Sequence, residues 1–251
     1  MKLRRCTKLA AIALAAVSLS ACHIHLDLEG EDWAYESGRI KGSGNKSTQS
    51  IDIGDFEKLR LNSSADVTIR LGKSQQITLT TDDNLLNNVS FTIKGDTLVI
   101  GSDKSYSTRI GTKIDIEVPE LEAVKVYGSG DIDVRGDEPM SDFAARIYGS
   151  GDINLDEMNV GGLQLEVNGS GDIVADGSAK DLKIKVNGSG DIDALNMEAK
   201  RAQARVNGSG DIVLNVSEEL SAGVSGSGDI RYKGSPKVSV RDNGSGDVRS
   251  I

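Results

Sequence analysis

The chain has 251 residues, an acidic balance of 38 Asp and Glu against 29 Lys and Arg, and a formal net charge of −9. An acidic surface repels phosphates, so this composition argues against a nucleic-acid partner. Two cysteines and two histidines also leave little material for disulfides or for a His-dependent catalytic centre.

Residues 1–21 have the pattern of a secretory signal. The basic region at the start contains Lys2, Arg4, Arg5 and Lys8. The apolar run that follows, Leu9 to Leu19, is too short to span a bilayer permanently. It ends in Leu-Ser-Ala followed by Cys22, which resembles the lipobox of bacterial lipoproteins and implies cleavage before Cys22 and lipidation of its thiol. The alternative is an ordinary secretory peptide whose cleavage site precedes a cysteine by chance.

The lipid on Cys22 would make a membrane the first partner of the protein, because acyl chains bury their methylenes in the bilayer. Loss of the signal removes basic residues only, so the mature chain is more acidic still and electrostatic adhesion to anionic lipid is disfavoured. His23 follows Cys22 where inner-membrane lipoproteins of enteric-type bacteria usually carry Asp. By that resemblance we expect a lipid-anchored protein of the cell envelope, in the outer membrane. The protein could lie on either the periplasmic or the external face of that membrane.

Residues 22–50 are predicted to be the lipidated cysteine and a flexible tether, because they are acidic and then rich in Gly, Ser and Asn. His23 and His25 are the only histidines of the chain. They lack the third ligand and the supporting shell that a useful metal site needs, so no metal is assigned to them.

Residues 51–120 are predicted to be an irregular N-terminal part of a β-domain that extends from 51 to 251. Apolar residues alternate here from Ile51 onward, but at uneven spacing. Asn62 to Val67, Asn-Ser-Ser-Ala-Asp-Val, is a degenerate copy of a later motif, and the array is predicted to start there. The rest of this part would cover the first coil, since the end of a strand stack exposes unpaired edges and apolar core.

Residues 121–251 contain seven copies of Gly-Ser-Gly-Asp followed by Ile or Val. The copies begin at Gly128, Gly149, Gly169, Gly188, Gly208, Gly226 and Gly244. A period near 20 residues is typical of a stacked array. We attribute the glycines to corners where backbones stack closely and φ can turn positive.

The residues around each copy alternate as in a strand with one buried and one solvent face. The residue after the Asp is always a branched apolar one, such as Ile173 or Ile192. Charged residues of the preceding segments are predicted to point to solvent: Lys125, Arg146, Glu166, Lys185 and Arg205. Asn-Gly pairs would also suit hairpins. Recurrence of the whole turn in register instead favours an all-β fold, a parallel β-helix (β-solenoid) with about 20 residues per coil.

The stacked aspartates are the main candidate site. They are Asp131, Asp152, Asp172, Asp191, Asp211, Asp229 and Asp247. Carboxylates in file at strand spacing repel by about 1 kcal/mol per pair even in bulk water. Hydrogen bonds from the backbone N–H groups of each corner would offset this repulsion. The second hypothesis is a file of bound calcium ions, although the calcium-binding nonapeptide repeat places its aspartate differently and has a period of nine.

Several stretches together resemble one known family. They are Ile-Asp-Ile-Glu-Val-Pro-Glu-Leu at residues 114–121, the motif copies at 127–132 and 168–173, and Asp-Ile-Arg-Tyr-Lys-Gly at 229–234. Over about residues 51–250 the chain is similar to the family called putative autotransporter adhesin, head GIN domain. The resemblance implies a right-handed parallel β-helix and carries over no catalytic residues.

The preferred function is that of a non-enzymatic cell-envelope lipoprotein that presents a rigid solenoid as an adhesin-like or binding surface, with an unidentified protein or polysaccharide as its ligand and no cofactor. One alternative is a periplasmic structural or sensing protein that binds another envelope protein. The lower alternative is a polysaccharide-active enzyme that uses Asp131 with Asp133, or Asp191 with Asp193, as a carboxylate pair. Each pair is more simply explained as one turn residue and one solvent-facing strand residue.

Overall fold

The computed structural model describes residues 38–136 and 139–251. The predicted signal sequence, Cys22, His23 and His25 lie outside the described residues. Within them the structure is almost entirely β, with one short 3-10 helix, Asp83–Asn88. No helix in this part of the chain is long and apolar enough to cross a membrane.

The strands are numbered in chain order. The N-terminal part contains β1 (Ile40–Lys41), β2 (Lys46–Ile51), β3 (Lys58–Leu61), β4 (Asp66–Leu71), β5 (Gln76–Asp82), β6 (Val89–Lys94), β7 (Thr97–Ser102), β8 (Tyr106–Ser107) and β9 (Lys113–Val118). The repeats contain β10 (Ala123–Val126), β11 (Ile132–Arg135), β12 (Met140–Ile147), β13 (Ile153–Val167), β14 (Ile173–Val186), β15 (Ile192–Val206), β16 (Ile212–Val224), β17 (Ile230–Lys233), β18 (Lys237–Asp242) and β19 (Val248–Ser250).

Each coil turns at its Gly-Ser-Gly-Asp corner, and the segments on either side of the corners form two ladders. The first ladder holds the segments before the corners, in the order β6-β7-β3-β10-β12-β13-β14-β15-β16-β18. The second holds the segments after them, in the order β2-β5-β9-β4-β11-β13-β14-β15-β16-β17-β19. The long strands β13 to β16 begin in the second ladder and end in the first.

Equivalent residues of successive repeats lie side by side, which is the register of a solenoid. Ile153 pairs with Ile173, and Ile173 with Ile192, each in parallel orientation. The residues after the motif aspartates, from Ile132 to Ile230, are at most 1% exposed and line the core. The predicted all-β solenoid with about 20 residues per coil is therefore confirmed, and its seven motif copies enclose six turns.

The N-terminal part extends the stack in an order that differs from the order of the chain. β3 and β4 pair in parallel with β10 and β11, so that Val67 lies beside Ile132, as expected for the degenerate copy. β7 and β9 then pair in parallel beneath β3 and β4. Antiparallel strands complete this end of the stack, with β6 on β7 and with β5 and β2 beyond β9. The unpaired edge of a regular coil is thereby covered.

Residues 38–50 belong to the folded domain, which corrects the prediction of a tether as far as residue 50. β1 pairs with β8, and β2 pairs antiparallel with β5. The Gly/Ser/Asn-rich segment between them is held by Asp82, which is fully buried and accepts a hydrogen bond from the Gly44 N–H. Ser43 N–H donates to Asn84 Oδ1 at 2.9 Å. A composition typical of a linker is thus fixed by polar contacts that are remote in sequence.

Candidate functional site

The Gly-Ser-Gly-Asp corners lie directly on one another and bond through their backbones. Ser170 N–H donates to the Gly149 carbonyl at 3.1 Å, and the equivalent serines repeat this bond along the stack. A Cβ added at Gly169 would lie 1.9 Å from the Gly149 oxygen. None of the motif glycines has positive φ. Close approach of the coils, and not a left-handed backbone, is therefore why these positions are glycine.

The aspartates form a ladder between coils. Asp172 Oδ1 accepts a hydrogen bond from the Asp191 N–H at 2.7 Å, and Asp152 Oδ1 accepts one from the Asp172 N–H at 2.8 Å. The same bond links every neighbouring pair from Asp131 to Asp247. The donor is the N–H of the next coil, not of the same corner as predicted. Each bond to a carboxylate offsets part of the repulsion along the file.

The calcium hypothesis stays a prediction. The described residues contain no group of three or more His, Cys, Asp or Glu side chains arranged to hold a metal ion. Two ladder carboxylates contact cations of the protein itself, since Arg231 lies 3.0 Å from Asp211 Oδ2 and Arg249 lies 3.6 Å from Asp229 Oδ2.

The carboxylate pairs proposed for catalysis have structural partners. Asp133 lies on the outer side of the second ladder and accepts from Asn154 Nδ2 at 2.9 Å. Asp193 accepts from the Leu195 N–H at 3.0 Å. Their neighbours in the pairs, Asp131 and Asp191, hold the corners together. The structure thus gives each of the four carboxylates a bond that orders the solenoid.

A long groove lies on the outer side of the first ladder. Its volume is about 1710 Å³, and it extends from Lys58 in β3 to Ser239 in β18. Its length follows from the stacking, because every coil adds one residue at each lateral position. Small-molecule pockets are usually about 300–1,000 Å³ in volume, so this larger, open groove along a rod suits an extended ligand.

Three columns of outward-facing residues run along the first ladder. Two of them line the groove, and the third lies beside it with only Arg146 in the groove lining. The central column is Lys58, Ala123, Ala144, Gln164, Lys183, Gln203, Ser221 and Ser239. The charge-pair column is Asp142, Gly162, Asp181, Arg201, Glu219 and Lys237. The basic column, on the other side, is Arg60, Lys125, Arg146, Glu166, Lys185, Arg205, Gly223 and Arg241.

The charge-pair column alternates in sign from Asp181 to Lys237. Arg201 donates two hydrogen bonds to Asp181, at 2.7 and 2.9 Å. These bonds hold the pKa of the Asp181 carboxyl below its usual value. Asp181 therefore stays ionised at neutral pH and contributes a negative charge to this side of the groove.

One end of the groove is more apolar. Leu71, Pro119, Leu121 and Met140 line it, and Leu71 and Met140 are only partly buried. Lys58 stands at the same end, with its Nζ 2.7 Å from Asp96 Oδ2 and 3.2 Å from Glu122 Oε2. Hydrogen bonds to these two carboxylates raise the pKa of Lys58.

A further series of residues lies beside the basic column, immediately before the Gly-Ser-Gly-Asp corners. It contains Tyr127, Tyr148 and several asparagines. The tyrosine rings stack at 4.6 Å between centroids, and the Arg60 guanidinium lies 4.1 Å from the Tyr127 centroid. Burial, followed by the neighbouring Tyr127, raises the pKa of Tyr148. Asn207 Nδ2 donates to Asn187 Oδ1 at 2.8 Å. This hydrogen bond is one step of a ladder of asparagine side chains along the stack.

The alternation of apolar and charged residues predicted the outward direction of the basic residues, whereas no sequence pattern was assigned to the groove. Lys125, Arg146, Glu166 and Lys185 indeed point outward, between buried neighbours. The signal for the groove was the set of variable positions four to six residues before each Asn-Gly or Tyr-Gly, aligned across copies. Only the register between coils places those positions in columns.

Residues 55–236 match the family model described as putative auto-transporter adhesin, head GIN domain. The chain belongs to this family. No curated protein matches the chain. Among solved structures, a putative adhesin from Bacteroides fragilis is 26% identical with a TM-score of 0.78, over 84% of this chain and 100% of that one.

Two further solved structures share the fold of this head GIN protein. A putative lipid binding protein from Parabacteroides distasonis is 27% identical with a TM-score of 0.70, over 85% of this chain and 99% of that one. A putative adhesin from Parabacteroides merdae is 24% identical with a TM-score of 0.69, over 85% and 99%. The family and these structures are described as adhesins or as lipid-binding, and none of these descriptions is that of an enzyme.

Proposed function

We propose that this head GIN protein is a non-enzymatic lipoprotein of the cell envelope, anchored through Cys22, that binds an extended ligand along the groove of the first ladder. The observation that carries the proposal is the groove itself, about 1710 Å³ along the stack from β3 to β18. A rigid rod presents such a surface without the entropy cost of ordering it on binding. The adhesin descriptions of the family and of its solved members support a role at the cell surface.

The groove also supports binding in preference to catalysis. Two ion pairs hold ionisable residues of its lining, Asp181 with Arg201 and Lys58 with Asp96. The acids of these pairs, Asp181 and Asp96, have lowered pKa values because of those partners. A general acid at neutral pH needs the opposite shift.

A lipid is the second candidate ligand, favoured by the partly buried Leu71 and Met140 at the apolar end of the groove. One solved structure with the same fold is described as a putative lipid binding protein. An amphiphile would place its acyl part at Leu71 and its head group near Lys58.

Binding of the purified full chain to a panel of envelope polysaccharides and lipid vesicles tests the groove. Ser221→Trp adds bulk to the exposed centre of the groove, and we expect it to abolish binding. Ser178→Trp, at an exposed strand position outside the groove, is the matched control and should bind normally. Equal binding by the two variants, or no binding by the unaltered chain, would contradict the proposal.

Anchoring and display need a separate experiment. We expect labelled fatty acid to be incorporated into the unaltered chain and not into Cys22→Ala. Protease added to intact cells should remove the protein if it is displayed outside, in agreement with adhesion. Protection until the outer membrane is permeabilised would place it in the periplasm and favour the alternative of a partner-binding periplasmic protein.

A further inference from the structure

The basic column is the most concentrated charge of one sign on the first ladder. Its eight positions carry six cations, Glu166 and Gly223, in a protein whose net charge is −9. Neighbouring positions are about 4.8 Å apart, the spacing of paired strands. At one end Arg60, Lys125 and Arg146 follow one another with no acid between them.

Three arginines elsewhere on the outer surface of the repeats have acidic partners in the adjacent coil. Arg201 bonds Asp181, Arg135 lies 3.1 Å from Asp156, and Arg231 lies 3.0 Å from Asp211. The basic column has six cations in register and a single acid. Glu166 forms ion pairs with both Arg146, at 3.5 Å, and Lys185, at 3.9 Å.

The other cations of the column are available to a ligand. Among the described residues, no carboxylate lies within ion-pair distance of Arg60, Lys125 or Arg205. Arg60 instead contacts the Tyr127 ring and donates from Nε to Asn62 Oδ1 at 2.8 Å. These contacts orient its guanidinium and leave its charge uncompensated.

Unpaired like charges in register repel one another, even in bulk water. A bound polyanion removes this repulsion along the whole column at once and releases its own counterions. A globular partner would contact only some of the aligned cations, whereas an extended chain can contact the cation of each successive coil.

We propose that the basic column, together with the adjoining central column of the groove, binds an acidic polysaccharide, a chain with a carboxylate or sulfate on its repeating unit. This inference rests on the proposed function and names the ligand class for the same groove. The cations would contact the acidic groups, and Gln164 and Gln203 of the central column would hydrogen-bond hydroxyl groups of the sugar.

The aromatic residues favour a polysaccharide over a single-stranded nucleic acid. Binding of single strands relies on free aromatic faces on which bases stack. Here the faces of Tyr127 are occupied, one by Tyr148 and the other by Arg60. The asparagine ladder beside them, such as Asn187 and Asn207, offers amides suited to hydroxyl groups.

The test uses the purified full chain with polygalacturonate and dextran sulfate as acidic probes, uncharged dextran, and a single-stranded dT oligonucleotide. We expect binding to at least one acidic polysaccharide, none to dextran, and weaker binding as NaCl rises. The variant Lys125→Gln/Arg205→Gln should bind about 10-fold more weakly and with a shallower salt dependence, because two ionic contacts are lost.

The matched control is Lys180→Gln/Lys200→Gln, which removes the same charge from two exposed positions outside the three columns. It should bind as the unaltered chain does, and thermal unfolding should show that both double variants are folded. The proposal is overturned if neither acidic polysaccharide binds, if the two double variants bind alike, or if the oligonucleotide binds more tightly than either polysaccharide. A different result would separate the two proposals. If the unaltered chain binds dextran or lipid vesicles and Ser221→Trp abolishes that binding, the ligand class is wrong, whereas the proposal that the groove binds a ligand is retained.

Discussion

At the scale of single residues, the motif glycines and the core isoleucines determine how closely the coils approach. The carbonyl of Gly149 occupies the space that a Cβ at Gly169 would need. The isoleucines after the first six motif aspartates fill the interiors of their coils and lie beside their equivalents in neighbouring coils. A period of about 20 residues is thus maintained by one position that tolerates no side chain and one that needs a branched apolar side chain.

We expect Gly169→Ala to destabilise the protein by about 2 kcal/mol or more, because a neighbouring coil must shift to admit the methyl group. Ser170→Ala, at an exposed position in the same corner, is the control and should change the free energy of unfolding by less than about 0.5 kcal/mol. Chemical denaturation measures both. A fully stable Gly169→Ala protein would mean that the corners are less closely stacked.

Ile173→Ala should cost about 2–5 kcal/mol, because Ile173 is fully buried and its truncation leaves a cavity in the stacked core. The adjacent Val174 is 42% exposed on the outer side, so Val174→Ala is the matched control and should cost less than about 1 kcal/mol. Equal effects of the two substitutions, measured by denaturant titration, would refute the register described above.

At the scale of elements, the N-terminal strands depend on a few polar side chains. Asp82, at the end of β5, is buried beside Gly42 and Gly44 and accepts hydrogen bonds from the Gly44 N–H and the Thr108 hydroxyl. These bonds join β2 and β5 at one end of the stack to the loop before β9. This carboxylate therefore adds a buried polar link between the antiparallel cover and the loop before β9.

The hydrogen bond from Thr108, followed by that from Gly44, lowers the pKa of Asp82. A carboxyl whose pKa is lower in the folded state contributes stability above its unfolded pKa, near 4, and this contribution is lost as the pH falls through the folded value. We expect Asp82→Asn to lower the melting temperature at pH 7. The difference in melting temperature between the variant and the unaltered protein should become smaller below about pH 4. Thermal melts of both proteins across pH 2–7 provide the measurement, and a pH-independent difference would contradict this role of the charge.

At the scale of the whole molecule, stability is distributed along the stack, because each coil contacts only its neighbours. The last coil, β18 and β19, pairs only with the coil before it, and Val238 and Val240 in β18 are partly exposed. Removing residues 234–251 should therefore leave the other coils folded, with a lower melting temperature. Circular dichroism and limited proteolysis measure this, and global unfolding of the truncated chain would show that the end coil is required for cooperativity.

The sequence alone determined the repeat, its period, the inward and outward faces and the all-β solenoid. Each of these depends on residues at fixed spacing, such as Ile173 and Ile192, and local periodicity is visible without knowledge of distant contacts. The degenerate copy ending at Val67 was also visible, because its pattern survives where Ser63 and Ala65 replace the two glycines.

Only the tertiary structure decided the rest. The segment at residues 42–45 has the composition of a linker, yet Asp82, far away in sequence, holds it in place. The aspartate ladder and the groove likewise arise between coils, since the Asp172 carboxylate meets the N–H of Asp191 and each column takes one residue from every turn. Such features depend on which residues the stacking brings together at about 4.8 Å, and a single repeat of the sequence contains no information about its neighbour across that distance.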